Sequence, residues 1–496
     1  MEKYREIALV DSTAKLLYWD TQTYMPHGAT SLRGSQSGLL AELRHEMLTS
    51  KELASLLEES EGGKDSYDVV QQMNLHLLRR EHEIECSLSE NLVAEFEKQK
   101  TRSWSAWAKA KSNRDWKLFE PDLKKIVDLS IRRAEATMHA RGASCVYDAM
   151  MDDFDMGASQ SQVSMLLTDL RTSLDPLIWR YSEASKEADT SILRRRVPTN
   201  IQRDMVRDVV GLIGYDTLSD NAHGRIDEAE HPFTSGYYDD VRITVHYDED
   251  YVFDALLSGL HEAGHGLYNQ NLDRSWIYQP VGKAASIGVH EAMSRFAENM
   301  IGLSPNFWTY YFPKFKEVTG NVFADVHLED LVRALNKVQP SKIRMNADEL
   351  TYNLHIVIRF EIERDLFSGK VDVSELPQVW NDLYDKYLQI EFDHDGEGVL
   401  QDVTWSVGAF GYWQCFSKGD VYRGMFARKM EEDIGAWSSE IEDGRFDTVM
   451  LWLRDRVQRL GSLYNPQELV EKATGTSPTV EPFVRYLAQK HASLWR

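Results

Sequence analysis

Cysteine is scarce in this chain: Cys86, Cys145 and Cys415 are the only three in 496 residues, and they stand far apart. An odd, scattered set excludes a disulfide framework and a CxxC metal site, and it suits a reducing cytosol. Long apolar runs are missing too; none approaches the roughly eighteen residues that a membrane-crossing helix needs. The opening segment, Met1-Glu2-Lys3-Tyr4-Arg5-Glu6, is charged and leads into an amphipathic helix instead of a secretory leader. Positive charge is in deficit: 56 Lys and Arg face 79 Asp and Glu, a net charge of −23. That balance repels nucleic acid and anionic membranes, so Arg194-Arg195-Arg196 reads as a solvated loop or helix end. The expectation is a cytoplasmic protein with neither nucleic-acid nor membrane partners.

Glycine and proline are sparse through long stretches, and there apolar residues recur at three- and four-residue spacing. Asp65–Lys98, Gln160–Lys186 and Asp348–Phe367 are expected helices, and Trp104, Trp107 and Trp116 fit a helix-packing stripe. Breaks fall near Glu61-Gly62-Gly63, at Val197-Pro198, across Asp393–Gly398 and near Gly475–Pro478; none is long enough to be a clear interdomain linker. With 42% hydrophobic and 11% aromatic residues, material for a core is ample. The fold class expected is mainly α, whether as two or three domains or as one large helical domain with its own cleft. Asp240–Tyr247 is the exception: it alternates, is rich in β-branched residues, and reads as a strand of a small sheet.

The most informative segment is Phe253–His265, which ends in His261-Glu262-Ala263-Gly264-His265, an HExxH motif inside a helical apolar pattern. Four residues make about one turn, so His261 and His265 project from one face, close enough for two imidazoles to grip one metal ion. Glu262 points aside, where it can act on water without displacing a ligand. Val252, Phe253, Leu256, Leu257, Leu260 and Leu267 make the helix read as buried, and buried histidines need partners. A catalytic zinc takes a third protein ligand. Ile287–Asn299 is a second helical stretch, and either Glu291, 26 residues after His265, or His290 could return to the metal. Spacing alone favours neither. The strand just upstream could pair, as an edge, with an extended peptide backbone, or it could belong to a purely structural hairpin.

The HExxH motif followed by the His290-Glu291 pair resembles the carboxypeptidase Taq (M32) family of metallocarboxypeptidases, and the likeness extends to further motifs along the chain. Leu17-Tyr18-Trp19-Asp20 through Met25-Pro26 is similar to the family's WDxxTxMP stretch. His231-Pro232-Phe233 matches its HPF motif, and Asp240-Val241-Arg242-Ile243-Thr244 its DxRxT motif. Ile343–Asp348 matches IRxx(A/S)D. Gly398–Trp405 resembles GxxQDxHW and is followed by Gly408–Tyr412. The resemblance spans nearly the whole chain. It implies a single peptidase domain over residues 1–496, mostly helical, with two lobes flanking a deep central groove, a small sheet near the metal helix, and usually a homodimer. It implies release of single residues from peptides with a free C-terminus, with broad specificity and zinc or cobalt as the metal. It favours Glu291 as the third ligand beside His261 and His265, with Glu262 as general base. Tyr412 becomes the candidate oxyanion donor. Arg344 and Arg242 become candidates for the substrate α-carboxylate, with Gln401 and Thr404 in the substrate-binding motif. Either arginine could instead be half of a structural ion pair, and Tyr412 a packed ring.

Two departures stand out. The family's HES motif is His290-Glu291-Ala292 here, and the histidine of GxxQDxHW is Thr404. Losing one transition-state donor costs about 3 kcal/mol, on the order of a hundredfold in rate. Two further readings therefore stay open: a metallo-endopeptidase or oligopeptidase, which shares the HExxH…E layout, and a non-catalytic peptide-binding protein on the same fold.

Overall fold

The computed structural model describes residues 1–495. Two compact units make up the chain. The first takes Met1–His82, Glu187–Asn336 and Gly419–Pro478; the second takes Glu83–Lys186, Lys337–Lys418 and Thr479–Arg496. Each is assembled from three separate stretches, which is why no linker shows in the sequence.

The first unit contains the sheet and the HExxH helix. Strands β1 (Gly224–Glu228), β2 (Thr234–Tyr237) and β3 (Asp240–Val245) lie in the order β1-β3-β2. β1 runs parallel to β3 with Ile226 opposite Ile243, and β2 runs antiparallel with Ser235 opposite Arg242. The expected strand thus ends two residues early, at Val245, and lies in the middle of the sheet. Both of its edges are already paired, so no peptide backbone can add to it; the edge-strand reading is corrected.

The helix Val252–Asn271 packs against β2 and β3 and against helix Thr199–Leu212. Val252, Phe253, Leu256, Leu260 and Leu267 are buried as their spacing requires, and Leu257 is half-buried. Phe253 sits edge-on to Trp308 at 5.7 Å and Phe323 at 5.8 Å and stacks on Phe315 at 5.5 Å. Burial of each large apolar side chain contributes about 1.5–3 kcal/mol, so packing, not propensity, holds this helix. Gly264 would ordinarily weaken it by about 1 kcal/mol relative to alanine. Its role is close approach: a Cβ there would lie 2.6 Å from the Met293 carbonyl oxygen and 2.7 Å from the Ser294 Cα.

The second unit is helical, and its central helix, Tyr352–Phe367, is buried on nearly every face. Tyr352, Ile356 and Trp413 form an apolar cluster there. Yet Asn353, His355, Arg359 and Glu363 on the same helix are wholly buried, so their polar atoms need protein partners. The long helix expected over 65–98 is two, Val69–Cys86 and Glu90–Asn113, because Ser89 caps the second by accepting from Leu92 N–H. Helices Gln160–Ala184 and Tyr352–Phe367 match their expected positions within a few residues. In the tryptophan stripe only Trp116 is core; Trp107 is half-buried and donates to Leu400 O at 3.1 Å, and Trp104 is exposed.

Candidate metal centre

Helix Val252–Asn271 presents His261 and His265, and helix Ile287–Arg295 crosses it at Gly264 to present Glu291. Glu291 Oε1 lies 3.6 Å from His265 Nε2, and Oε2 lies 3.8 Å from His261 Nε2. One ligand atom from each of the three lies within 4.8 Å of the others. A second glycine assists: a Cβ on Gly419 would lie 2.7 Å from the Glu291 Cβ.

The remote nitrogens show which face of each imidazole is free. His261 Nδ1 is 2.7 Å from Glu298 Oε2 and donates a proton there, so Nε2 is the nitrogen left for a metal, which would take the place of any proton on it. His265 Nδ1 is 2.7 Å from His290 Nδ1, and His290 Nε2 is 3.2 Å from Asn269 Oδ1. Asn269 Oδ1 can only accept, so His290 donates from Nε2 and accepts at Nδ1 from His265. His265 Nε2 is therefore likewise the nitrogen left for a metal. Both nitrogens of His290 make hydrogen bonds within the chain, whereas Glu291 faces both imidazoles. Burial and the nearby imidazoles hold His290 well below the ordinary histidine range, in keeping with a neutral ring.

The carboxylates are equally constrained. Thr234 Oγ1 donates to Glu262 Oε2 at 2.6 Å and to Glu262 O at 2.9 Å. Ser294 Oγ donates to Glu291 Oε2 at 3.2 Å and to Glu291 O at 3.0 Å. Burial opposes ionisation of Glu291, but His265, His261 and Arg295 outweigh it and hold the carboxyl down at about 2. Burial likewise opposes charge on His261, and Glu298, Glu291 and Glu262 overcome it, raising the imidazole to about 9 without an ion. Farther back, Asp420 accepts from Arg295 Nε and from Arg423 Nε, each at 2.7 Å.

The site fits a divalent cation. Its donor set is two imidazole nitrogens and one carboxylate, the hydrolytic zinc pattern. Its charge fits as well: the carboxylates of Glu298, Glu291 and Glu262 together raise His261 against its burial, an acidic surrounding that suits a cation.

The match of the whole chain to known proteins agrees with this geometry. A family model described as Carboxypeptidase Taq (M32) metallopeptidase covers residues 1–491. This chain belongs to the M32 family. It is 35% identical to thermostable carboxypeptidase 1 of Thermus thermophilus over 100% of this chain and 98% of that protein. Against carboxypeptidase 1 of Bacillus subtilis it is 32% identical over 99% and 97% of the two chains. The crystal structure of the M32 carboxypeptidase from Deinococcus radiodurans R1 superposes with a TM-score of 0.94 at 34% identity, covering 100% of this chain and 98% of that one. The protein is accordingly a metallocarboxypeptidase of the mainly α peptidase fold, a hydrolase of peptides that depends on a metal.

The remaining predicted site residues divide between the units. Arg242, in the first, spends its fork on Asp240: Nε and Nη2 donate to the two carboxylate oxygens at 2.7 and 2.9 Å, and the guanidinium lies 4.1 Å over Trp19. Residues i and i+2 share one face of a strand, which brings Arg242 and Asp240 together as an ion pair. Arg344, Gln401, Thr404 and Tyr412 lie in the second unit. Gln401 is fully used: Oε1 accepts from Arg344 N–H and Arg359 Nη2, and Nε2 donates to the Lys342, Glu397 and Gly398 carbonyls. Arg344 is held loosely, 3.3–3.4 Å from Asp402 Oδ1 and 3.3 Å from Tyr352 OH, with its guanidinium 4.7 Å over Trp413. The Thr404 hydroxyl is buried with no hydrogen-bond partner among the described residues. The Tyr412 ring packs edge-on to Phe154 at 5.1 Å and Phe416 at 5.0 Å.

Sequence reasoning missed Glu298 and Thr234. Glu298 stands seven residues after Glu291, two turns along one face, and that spacing was a usable signal. It lies in the π-helical turn Phe296–Gly302, a distortion that recurs at functional sites. Thr234 had no local signal, because only the packing of β2 on the motif helix brings it to Glu262.

Proposed function

We propose that His261, His265 and Glu291 bind a zinc ion, with cobalt able to replace it, and that Glu262 is the general base of a broad-specificity carboxypeptidase. Bound there, the ion would polarise a carbonyl and acidify water. The chain's own residues supply the rest. Glu262 accepts a proton from the attacking water and returns one to the leaving amine; Thr234 holds that carboxylate in place through Oε2, leaving Oε1 for the transfer. Glu298 and His290 keep the imidazoles in the tautomers that expose Nε2. Arg344 is the candidate for the substrate α-carboxylate, because its loose contacts leave donors to redirect, whereas Arg242 is committed to Asp240. Tyr412 is the candidate oxyanion donor, and Thr404 remains in the substrate-binding motif with an unused hydroxyl. The few, widely scattered cysteines support the expected reducing cytoplasm, and the family resemblance supports a homodimer.

The observation that carries this reading is the pair of Nε2 atoms facing one buried carboxylate, with a second carboxylate anchored beside them. The test uses an N-blocked peptide and its C-terminally amidated twin with protein stripped of metal and then given zinc or cobalt. Metal-dependent release of single residues from the free acid alone is the expected result. Cleavage of the amidated twin would instead identify an endopeptidase, and metal binding without turnover a peptide-binding protein. Glu262→Gln is expected to retain the metal and lose at least about a hundredfold in kcat; full rate in that variant removes Glu262 as base.

A further inference from the structure

Arg359 and Glu363 stand one helical turn apart on Tyr352–Phe367, and neither exposes any surface. Arg359 holds the start of the motif segment 401–412. Its Nη2 donates to Gln401 Oε1 at 2.8 Å, and Nε and Nη2 together grip Asp402 Oδ2. Glu363 holds the rest. Its Oε1 accepts from Trp405 Nε1–H at 2.8 Å, and its Oε2 accepts from Tyr147 O–H at 2.9 Å and from Gly411 N–H at 2.8 Å. A buried carboxylate is costly unless its oxygens are well satisfied, and here donors from two remote segments converge on one side chain. The turn they hold is tightly enclosed. Gly411 has a left-handed backbone, φ +82°, and a Cβ on it would lie 2.6 Å from Met151 N. Tyr147 belongs to the same helix, Val146–Asp152, and its ring stacks on Phe367 at 5.7 Å. Hydrogen bonds from Glu363 thus bracket residues 405–411, and Tyr412 leaves the chain at the pinned end.

We propose that Glu363 is a positioning residue: its carboxylate fixes the 405–411 turn and thereby the direction in which Tyr412 is presented. The role of Tyr412 rests on the proposed function; the pinning of the turn does not. Glutamine cannot replace this carboxylate. One end of its amide is a donor, and although the Tyr147 hydroxyl can reverse to meet it, the Trp405 and Gly411 N–H groups cannot.

Amide hydrogen exchange on the full chain reads the pinning directly. In Glu363→Gln, peptides spanning 404–412 are expected to exchange about tenfold faster or more, with 252–271 and 287–302 unchanged. Unchanged exchange at 404–412 overturns the proposal whatever the activity. The link to Tyr412 is read by kcat and KM of Glu363→Gln, Tyr412→Phe and the double variant. Glu363→Gln is expected to lower kcat about tenfold with KM within about twofold, and to cost little more once Tyr412 is already Phe. Full multiplication of the two losses overturns action through Tyr412. A wild-type protein without turnover refutes the proposed function while the exchange result still decides the pinning. Should Glu363→Gln fail to fold, Trp405→Phe and Tyr147→Phe each remove one donor; both are expected to speed exchange about threefold at 404–412, and no change in either overturns the proposal.

Discussion

Substitution of Gly264 by alanine should separate metal binding from folding. The added Cβ would sit 2.6 Å from the Met293 carbonyl oxygen and 2.7 Å from the Ser294 Cα, whereas ordinary contacts begin at 3.4 Å. Both obstacles are backbone, so neither can rotate away. Relieving the overlap needs the two helices to part by about 0.8 Å, which would carry the Glu291 oxygens from 3.6 and 3.8 Å to about 4.4 and 4.6 Å from the imidazole nitrogens. Two donors each about 2.0–2.2 Å from one zinc cannot stand more than about 4.4 Å apart. The carboxylate is thus carried to the edge of reach or beyond it, and zinc affinity should fall by at least about a hundredfold. Overpacking itself costs about 1–3 kcal/mol. Competition against a chelator of known affinity measures the first effect, and thermal unfolding of the stripped protein measures the second. A variant that binds zinc like the wild type, with unchanged metal-free stability, would show that the helices do not meet at Gly264 as described.

Three other outcomes are expected. Glu298→Gln leaves the three proposed ligands in place but loses the charged acceptor behind His261, so zinc affinity should drop about 10–100-fold in the same competition assay. Arg344→Lys removes the planar fork, and on a free-acid peptide it should raise KM about tenfold or more while leaving zinc affinity alone. Burial raises the Glu363 carboxyl from its ordinary 4.5 to about 7, with Gly411, Trp405, Tyr147 and Arg359 opposing it. The folded protein therefore takes up this proton at higher pH than the unfolded chain. Stability from the group is fully present below pH 4.5 and is lost as pH rises to about 7, a change of about 3 kcal/mol. Glu363→Gln should abolish that share of the slope in urea unfolding between pH 5 and 7.5, and an unaltered slope would contradict the assignment.

Much of the architecture was legible because it is periodic. Apolar residues at three- and four-residue spacing marked helices Gln160–Ala184 and Tyr352–Phe367. Where the expectation failed, a local competitor won: Ser89 caps a new helix and divides the stretch 65–98. The Asp240 strand was visible from its alternation, but its place in the sheet was not, since β1 and β2 are short and lack a strong pattern.

His261, His265 and Glu262 were determined by the sequence itself, because one turn of helix sets their relation whatever surrounds it. Only the tertiary structure bears on the choice between Glu291 and His290. That choice depends on two helices meeting at Gly264 and on Asn269, which fixes the proton of His290 and, through it, the tautomer of His265. It also decided that Arg242 is tied to Asp240 while Arg344 is loosely held, and that Glu363 pins a turn some forty residues farther along the chain. Periodicity carries information across a few residues; a hydrogen bond between remote segments leaves no mark in either segment alone.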